Sequence, residues 1–277
     1  VNSEFSVDEK SIRDDGIFYP LFDEAERVRW KMADIPWSSI ETPGVSPSWI
    51  AVARETLIGE LTTFTATERF FADFGDDVDF TQWLTVWLYE ETKHPSAILK
   101  WLDAFNEKFD SRFMLQGRQT IPFMPSRMGT LATNIISEMV AATLYITLST
   151  QPDVEPVFAE ICRKISGDEA RHAASFYRYA QKYLRRSPNP EREKLMALTI
   201  LYFWTTPELN ARVGHPVNML ANRYQSMPSL QRAISGEAIK SAIENTYKRS
   251  CRVFGSLIGL ELRDLKDVSD HLATLQR

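Results

Sequence analysis

Asp168-Glu169-Ala170-Arg171-His172 and its near-copy Glu90-Glu91-Thr92-Lys93-His94 read acid-Glu-x-base-His. On a helix, residues three apart stand on one face a turn apart, so each Glu and its His can reach the same point in space. A further Glu lies upstream of each copy at the same distance: Glu60 precedes Glu91 by 31 residues, and Glu138 precedes Glu169 by 31. Glu55 and Glu68 share the stretch with Glu60, and the equal offsets favour Glu60. A spacing near thirty suits a helical hairpin that returns the chain to the level it left. The doubled pattern therefore predicts two hairpins facing each other as a four-helix bundle over about 48–184, with four Glu and two His turned inward.

Carboxylates and imidazoles converging in a bundle core are the ligand set of carboxylate-bridged di-iron or di-manganese centres. Such ligands with open positions suit Fe or Mn better than a closed zinc site. The bland alternative is a set of surface ion pairs on exposed helices. Against it, Trp83, Trp87, Phe64, Ile98, Ala141, Ala142 and Phe176 fall one or two turns from the same positions. A carboxylate on an apolar face needs a partner.

On these motifs the chain resembles the ferritin-like di-iron superfamily in its oxygen-activating branch. That branch holds the soluble acyl-carrier-protein desaturases, multicomponent monooxygenases, di-iron N-oxygenases and the ribonucleotide reductase small subunit. The resemblance implies an all-α, ferritin-like bundle and identifies Glu60, Glu91, His94, Glu138, Glu169 and His172 as ligands of two iron ions. The pair would be Fe/Fe, with Mn/Fe as the alternative and O2 as co-substrate. It further implies that Asp168 and Glu90 each accept the free ring N–H of the opposite hairpin's His, fixing its tautomer. The segment Pro36-Trp37-Ser38-Ser39-Ile40-Glu41 is similar to the reductase segment whose Trp bonds that acid, which implies a Trp37–Asp168–His94 chain for electrons.

Departures within the branch narrow the reading. Ile98 stands where the reductase carries its radical Tyr, Ile165 where the N-oxygenases carry a third His, and Ala141 where the desaturases carry a Thr. Ala141 and Ala142, with Ile98 and Phe64, would leave or line a substrate pocket beside the metals. The expected activity is an O2-dependent oxidation of an organic substrate, free or carrier-bound, with acyl desaturation or hydroxylation ahead of N-oxygenation or oxidative cleavage. A ferroxidase or a radical-generating subunit is the alternative class. Without a flavin fingerprint or an iron–sulfur cysteine cluster, electrons are expected from an external donor, a ferredoxin or reductase.

The remaining sequence bounds the setting. A chain of 277 residues with 44% hydrophobic content can fill one large helical domain. A net charge of -5 and pI near 5.5 argue against nucleic acid as a partner. Cys162 and Cys251 make no disulfide framework, and no signal-like start or membrane-length apolar run stands out. The reading is a cytoplasmic homodimer with no membrane partner. An irregular arm (1–47), with one short helix from Leu21 to about Ala33, should precede the bundle, and helices over 189–277 should follow it. The bundle helices are expected at about Ser48–Phe74, Asp79–Phe109, Ser126–Leu148 and Val154–Leu184, with a kink or widened turn at Pro95. Arg185, Arg186, Lys248, Arg249 and Arg252 could face an acidic carrier, though such runs are usually solvated faces. His215 and His271, without a carboxylate at ligand spacing, read as ordinary loop or surface histidines.

Overall fold

Proline marks the first turn of helix after helix in this chain, where its missing N–H costs nothing and its fixed φ suits the helix. A computed structural model describes residues 16–118, 126–210 and 213–275. Among them the secondary structure is entirely helical, with no strand. Helix α1 is Phe18–Val28, and 3₁₀ turns follow at Met32–Asp34 and Trp37–Ser39. Next come α2 (Pro47–Glu60), α3 (Thr63–Phe74), α4 (Val78–Asp103) and α5 (Ser111–Gln116). The long pair α6 (Arg127–Ser149) and α7 (Pro156–Arg186) leads to α8 (Pro190–Thr205). The chain closes with α9 (Pro207–Asn210), α10 (Pro216–Ser226), α11 (Pro228–Gln231), α12 (Gly236–Ile258) and α13 (Leu265–Leu275).

The expected helices are present, with differences in extent. The stretch 48–74 is two helices: the chain breaks at Leu61-Thr62, where the Thr62 hydroxyl turns back onto the Gly59 carbonyl at 2.7 Å. The second helix stops at Asp103, and Asn106 takes a left-handed φ of 59° that ends the run. Pro95 lies inside α4, which continues to Asp103. Much of the N-terminal arm (1–15) and of the 110–126 connection, with Pro122 and Pro125, lies outside the described residues.

Helix α6 packs along α7, α2 and α3 along α4, and α4 crosses to α7; α8, α10 and α12 close over the outer side of α6. By length and composition α6 could cross a membrane, contrary to the sequence reading, yet 61% of its most apolar window is buried inside the protein. Two polar anchors fix the frame. Asp79 takes Lys182 Nζ at 2.7 Å and the backbone N–H groups of Ile17 and Phe18, tying α1 to α4 and α7. Glu155 caps α7 through Phe158 N at 2.9 Å and accepts Trp101 Nε1 of α4 at 2.7 Å. Phe70, Phe80, Trp83, Trp87, Phe176 and Tyr179 pack between α3, α4 and α7, with Phe70–Trp87, Phe80–Tyr179, Trp83–Phe176 and Trp87–Phe176 edge to face. Each such side chain fully buried contributes about 1.5–3 kcal/mol.

Candidate metal centre

Because α4 and α7 each place Glu and His a turn apart, their crossing brings both pairs to one level. Glu60 arrives from the end of α2 and Glu138 from the middle of α6. The structure groups ligand-capable atoms of Glu60, Glu91, His94 and Glu169, and again of Glu91, Glu138, Glu169 and His172, each set within 4.8 Å. Glu91 and Glu169 belong to both, as bridging groups between two cations would.

Both imidazoles turn Nδ1 inward and Nε2 outward. His94 Nδ1 lies 3.3 Å from Glu60, 3.7 Å from Glu91 and 3.6 Å from Glu169. His172 Nδ1 lies 3.0 Å from Glu91, 3.2 Å from Glu169 and 4.0 Å from Glu138. The outward nitrogens reach acids on the opposite helix: His94 Nε2–H donates to Asp168 at 3.1 Å, and His172 Nε2–H to Glu90 at 3.1 Å. This crossed pair holds each ring with its Nδ1 free to face a cation.

Asp168 and Glu90 are buried because cations surround them. Asp168 also binds Arg171 and has Lys93 Nζ at 3.6 Å; Glu90 accepts from Arg29 Nε at 3.2 Å and Arg171 at 3.4 Å. Burial alone would raise both acids. The His172 bond and the Arg171 charge outweigh it and hold Glu90 at about 2, while His94, His172 and Lys93 depress Asp168 further. Among the inner acids the balance reverses. Burial, with the charges of Glu91 and Glu60, raises Glu138 to about 7, and burial with Glu91 and Glu138 raises Glu169 well above the carboxylate range. Burial opposes charge on the imidazoles, but the surrounding carboxylates win: His172 rises to about 10, and His94 lies well above its ordinary value.

The donor set fits divalent cations. Once the protons held by Glu138, Glu169 and the two imidazoles leave, four carboxylates and two neutral imidazoles would carry the charge that two divalent ions cancel. Two residues that the sequence reading missed support the set. The Tyr145 hydroxyl donates to Glu60, and Thr63 Oγ donates to Glu91 at 3.0 Å. Tyr145 is seven residues after Glu138, two turns along the same face, and that spacing was the available signal.

Trp37 does not hold the position expected of it. Its indole N–H donates to the Met32 carbonyl at 2.6 Å, and Lys100 lies over its ring. The indole bonded to Asp168 is Trp30, at 2.8 Å, with Lys93 Nζ stacked 4.4 Å from its centroid. Trp30 directly follows α1, whose packing on α4 delivers it to Asp168; Trp37 sits beyond a 3₁₀ turn and points back along the arm.

A cavity of about 80 Å³ lies against the centre. Along α6 its wall runs from Asn134 through Ser137, Glu138, Ala141 and Tyr145 to Leu148, a helical stripe about 21 Å long. Of the residues expected beside a substrate, Ala141 lines this cavity. Ala142, Ile98 and Phe64 do not: the Ala142 carbonyl takes Ser166 at 2.8 Å, Ile98 is sealed in the core, and Phe64 packs under Arg118. Trp87 lines the wall with its buried indole N–H unpartnered. His215, expected as an ordinary loop residue, lines it too. Its Nδ1 accepts the Val217 N–H at 3.4 Å, and burial lowers its pKa to about 4. Cys162 is buried outside this wall, and burial pushes its thiol up.

Scanned against family models, curated proteins and solved structures, the chain matches none of them.

Proposed function

We propose that this protein is a ferritin-like di-iron carboxylate oxidoreductase that uses O2 to oxidise a slender organic substrate. The observation that carries the reading is the pair of ligand clusters sharing Glu91 and Glu169, each with one inward imidazole nitrogen. Glu60, Glu91, His94 and Glu169 would hold one iron, and Glu91, Glu138, Glu169 and His172 the other. When bound, two ferrous ions supply the electrons that reduce O2 and the oxidising power to take hydrogen from an unactivated substrate.

The chain's own residues do the rest. Asp168 and Glu90 hold His94 and His172 by their outer N–H groups, so that neither ring turns its proton inward. Tyr145 keeps one hydroxyl proton on Glu60, and Thr63 does the same for Glu91. Phe70, Trp87 and Phe176 exclude water on one side. The narrow cavity along α6, mostly apolar, suits an extended alkyl segment better than a branched or bulky amine, which favours desaturation or hydroxylation. It also supports an organic substrate over iron storage, which needs no apolar wall. Trp30, Asp168 and His94 form a hydrogen-bonded chain leading outward from the centre, on which an external electron donor would act.

The test is anaerobic titration with Fe(II), then O2 exposure with candidate acyl and amine substrates and analysis of products by mass. Two irons per chain and substrate-dependent O2 uptake are expected. One zinc and no iron would remove the metal assignment. Two irons with O2 uptake indifferent to any organic substrate would favour ferroxidase chemistry instead.

A further inference from the structure

Outside the cavity, between α2 and α10, lies a shallow hollow walled by Glu55, Ile58, Met219 and Arg223. The hollow and the cavity share Gly59, Thr62, Pro216 and Leu220 in their linings. They are therefore the two sides of one thin partition. At its centre Gly59 has no side chain, and a Cβ built there would meet Leu220 Cδ2 at 3.4 Å. Leu220 is 9% exposed, while its neighbour Met219, on the outer rim, is 43% exposed. Elsewhere the partition is backed by the Thr56–Tyr224 bond at 2.7 Å, which ties α2 to α10 from inside.

The geometry points to Gly59 and Leu220 as the portal through which substrate reaches the cavity beside Glu60 and Glu91, and as the residues that set which molecules pass. This rests on the reading of the six side chains as a metal centre. Gly59 and Leu220 meet within the partition, and Thr62 and Pro216 complete it. Glycine is a weak helix former, and its presence one residue before Glu60 leaves the Leu220 side chain as the group that fills the space beside the backbone there. The rim bears one ion pair, Arg223 to Glu55 at 2.7 Å, so its charges are matched to each other. The throat itself is Ile58, Pro216 and Leu220. An unbranched, alkyl-ended molecule can thread it end-on; a branched or charged end cannot. Rotation of the Leu220 side chain opens it without moving α10 as a whole.

The experiment places a reporter inside the cavity and needs neither substrate nor iron. Ala141→Cys, on the wall beside Glu138, is treated with methyl methanethiosulfonate in metal-stripped protein. Modification is followed residue by residue by peptide mass, with the buried Cys162 as internal control. Gly59→Leu is expected to slow labelling at position 141 by about tenfold or more, since access must then await local opening. Leu220→Ala is expected to speed it, and the two changes together to bring the rate back toward the parent. If Gly59→Leu perturbs folding, Leu220→Ala alone decides. Unchanged labelling in Leu220→Ala would overturn the portal. Two-iron stoichiometry, measured on unlabelled samples of the same variants after reloading with Fe(II), reports separately on the metal reading, so either can fail without the other.

Discussion

Asp168 shows how much a single buried side chain can organise without itself being a candidate ligand. Its carboxylate receives Trp30, His94 and Arg171, with Lys93 beside it, and no solvent. Removing one donor leaves a buried acceptor short of a partner. Trp30→Phe should therefore cost about 1–2 kcal/mol in denaturant unfolding and slow re-reduction of the oxidised protein by an external donor. Trp37→Phe breaks only a bond to the arm's own backbone and should leave re-reduction unchanged. Equal rates in Trp30→Phe and the parent would remove Trp30 from the route. For the ligands, Glu169→Ala removes one of the two carboxylates common to both clusters, and His172→Ala only one imidazole. Bound iron should fall from two to none or one in the first, and to about one in the second, with helicity kept. Full occupancy in Glu169→Ala would refute the bridging role. The resemblance implied the partners of Asp168 and Glu90, and helical periodicity could carry that implication across because a helix fixes the direction of every side chain. Periodicity could not choose between Trp30 and Trp37, since an irregular arm has no such rule and the choice was made by where α1 packs.

Helices and their breaks set the next scale. The long helices were readable because Glu, Trp and Phe recur at helical spacing, and because prolines stand where helices begin. The break between α2 and α3 was not, for nothing in Gly59–Thr63 forbids a continuous helix, and the segment packed against the break is distant in sequence. Gly117, after α5, lies so close that a Cβ there would stand 2.3 Å from Leu61 Cβ and 2.8 Å from the Ile58 carbonyl. The turn holding Gly117 is thus wedged against the break that follows Glu60. Gly117→Ala should push these segments apart, costing about 1–3 kcal/mol by overpacking. It should also weaken metal at the cluster containing Glu60 more than at the other. A thermal shift with Mn(II) titration on the variant checks both, and unchanged stability would mean that the wedge yields freely. The cavity was half legible for the same reason: Ala141 follows from the α6 stripe, whereas His215 is brought in by α10, an element without periodic link to the motif.

Across the whole molecule, the charges of the centre make stability depend on metal and pH in opposite directions. In metal-stripped protein, Glu138 titrates at about 7 against an ordinary 4.5, and His172 at about 10 against 6.5. Folded chains then hold protons that unfolded chains have released, so these groups stabilise below their unfolded values and lose that contribution as pH rises through 7 and on toward 10. Glu90, held at about 2, and Asp168, held lower still, work the other way: their contribution is complete above the unfolded carboxylate value and fades as pH falls toward 2. Stripped protein should accordingly be most stable in mildly acid solution and weaken steadily above it. Metal must displace the Nδ1 protons of His94 and His172 and the protons on Glu138 and Glu169, so its binding strengthens as pH rises. At about a hundredfold excess over its dissociation constant it should add about 2.7 kcal/mol. Melting curves of stripped and Mn(II)-loaded protein should therefore nearly coincide at pH 5 and diverge toward pH 8, with protons released on loading in weakly buffered solution. Curves that stay parallel across that range, with no proton release, would mean that the four carboxylates and two histidines do not meet the metal together.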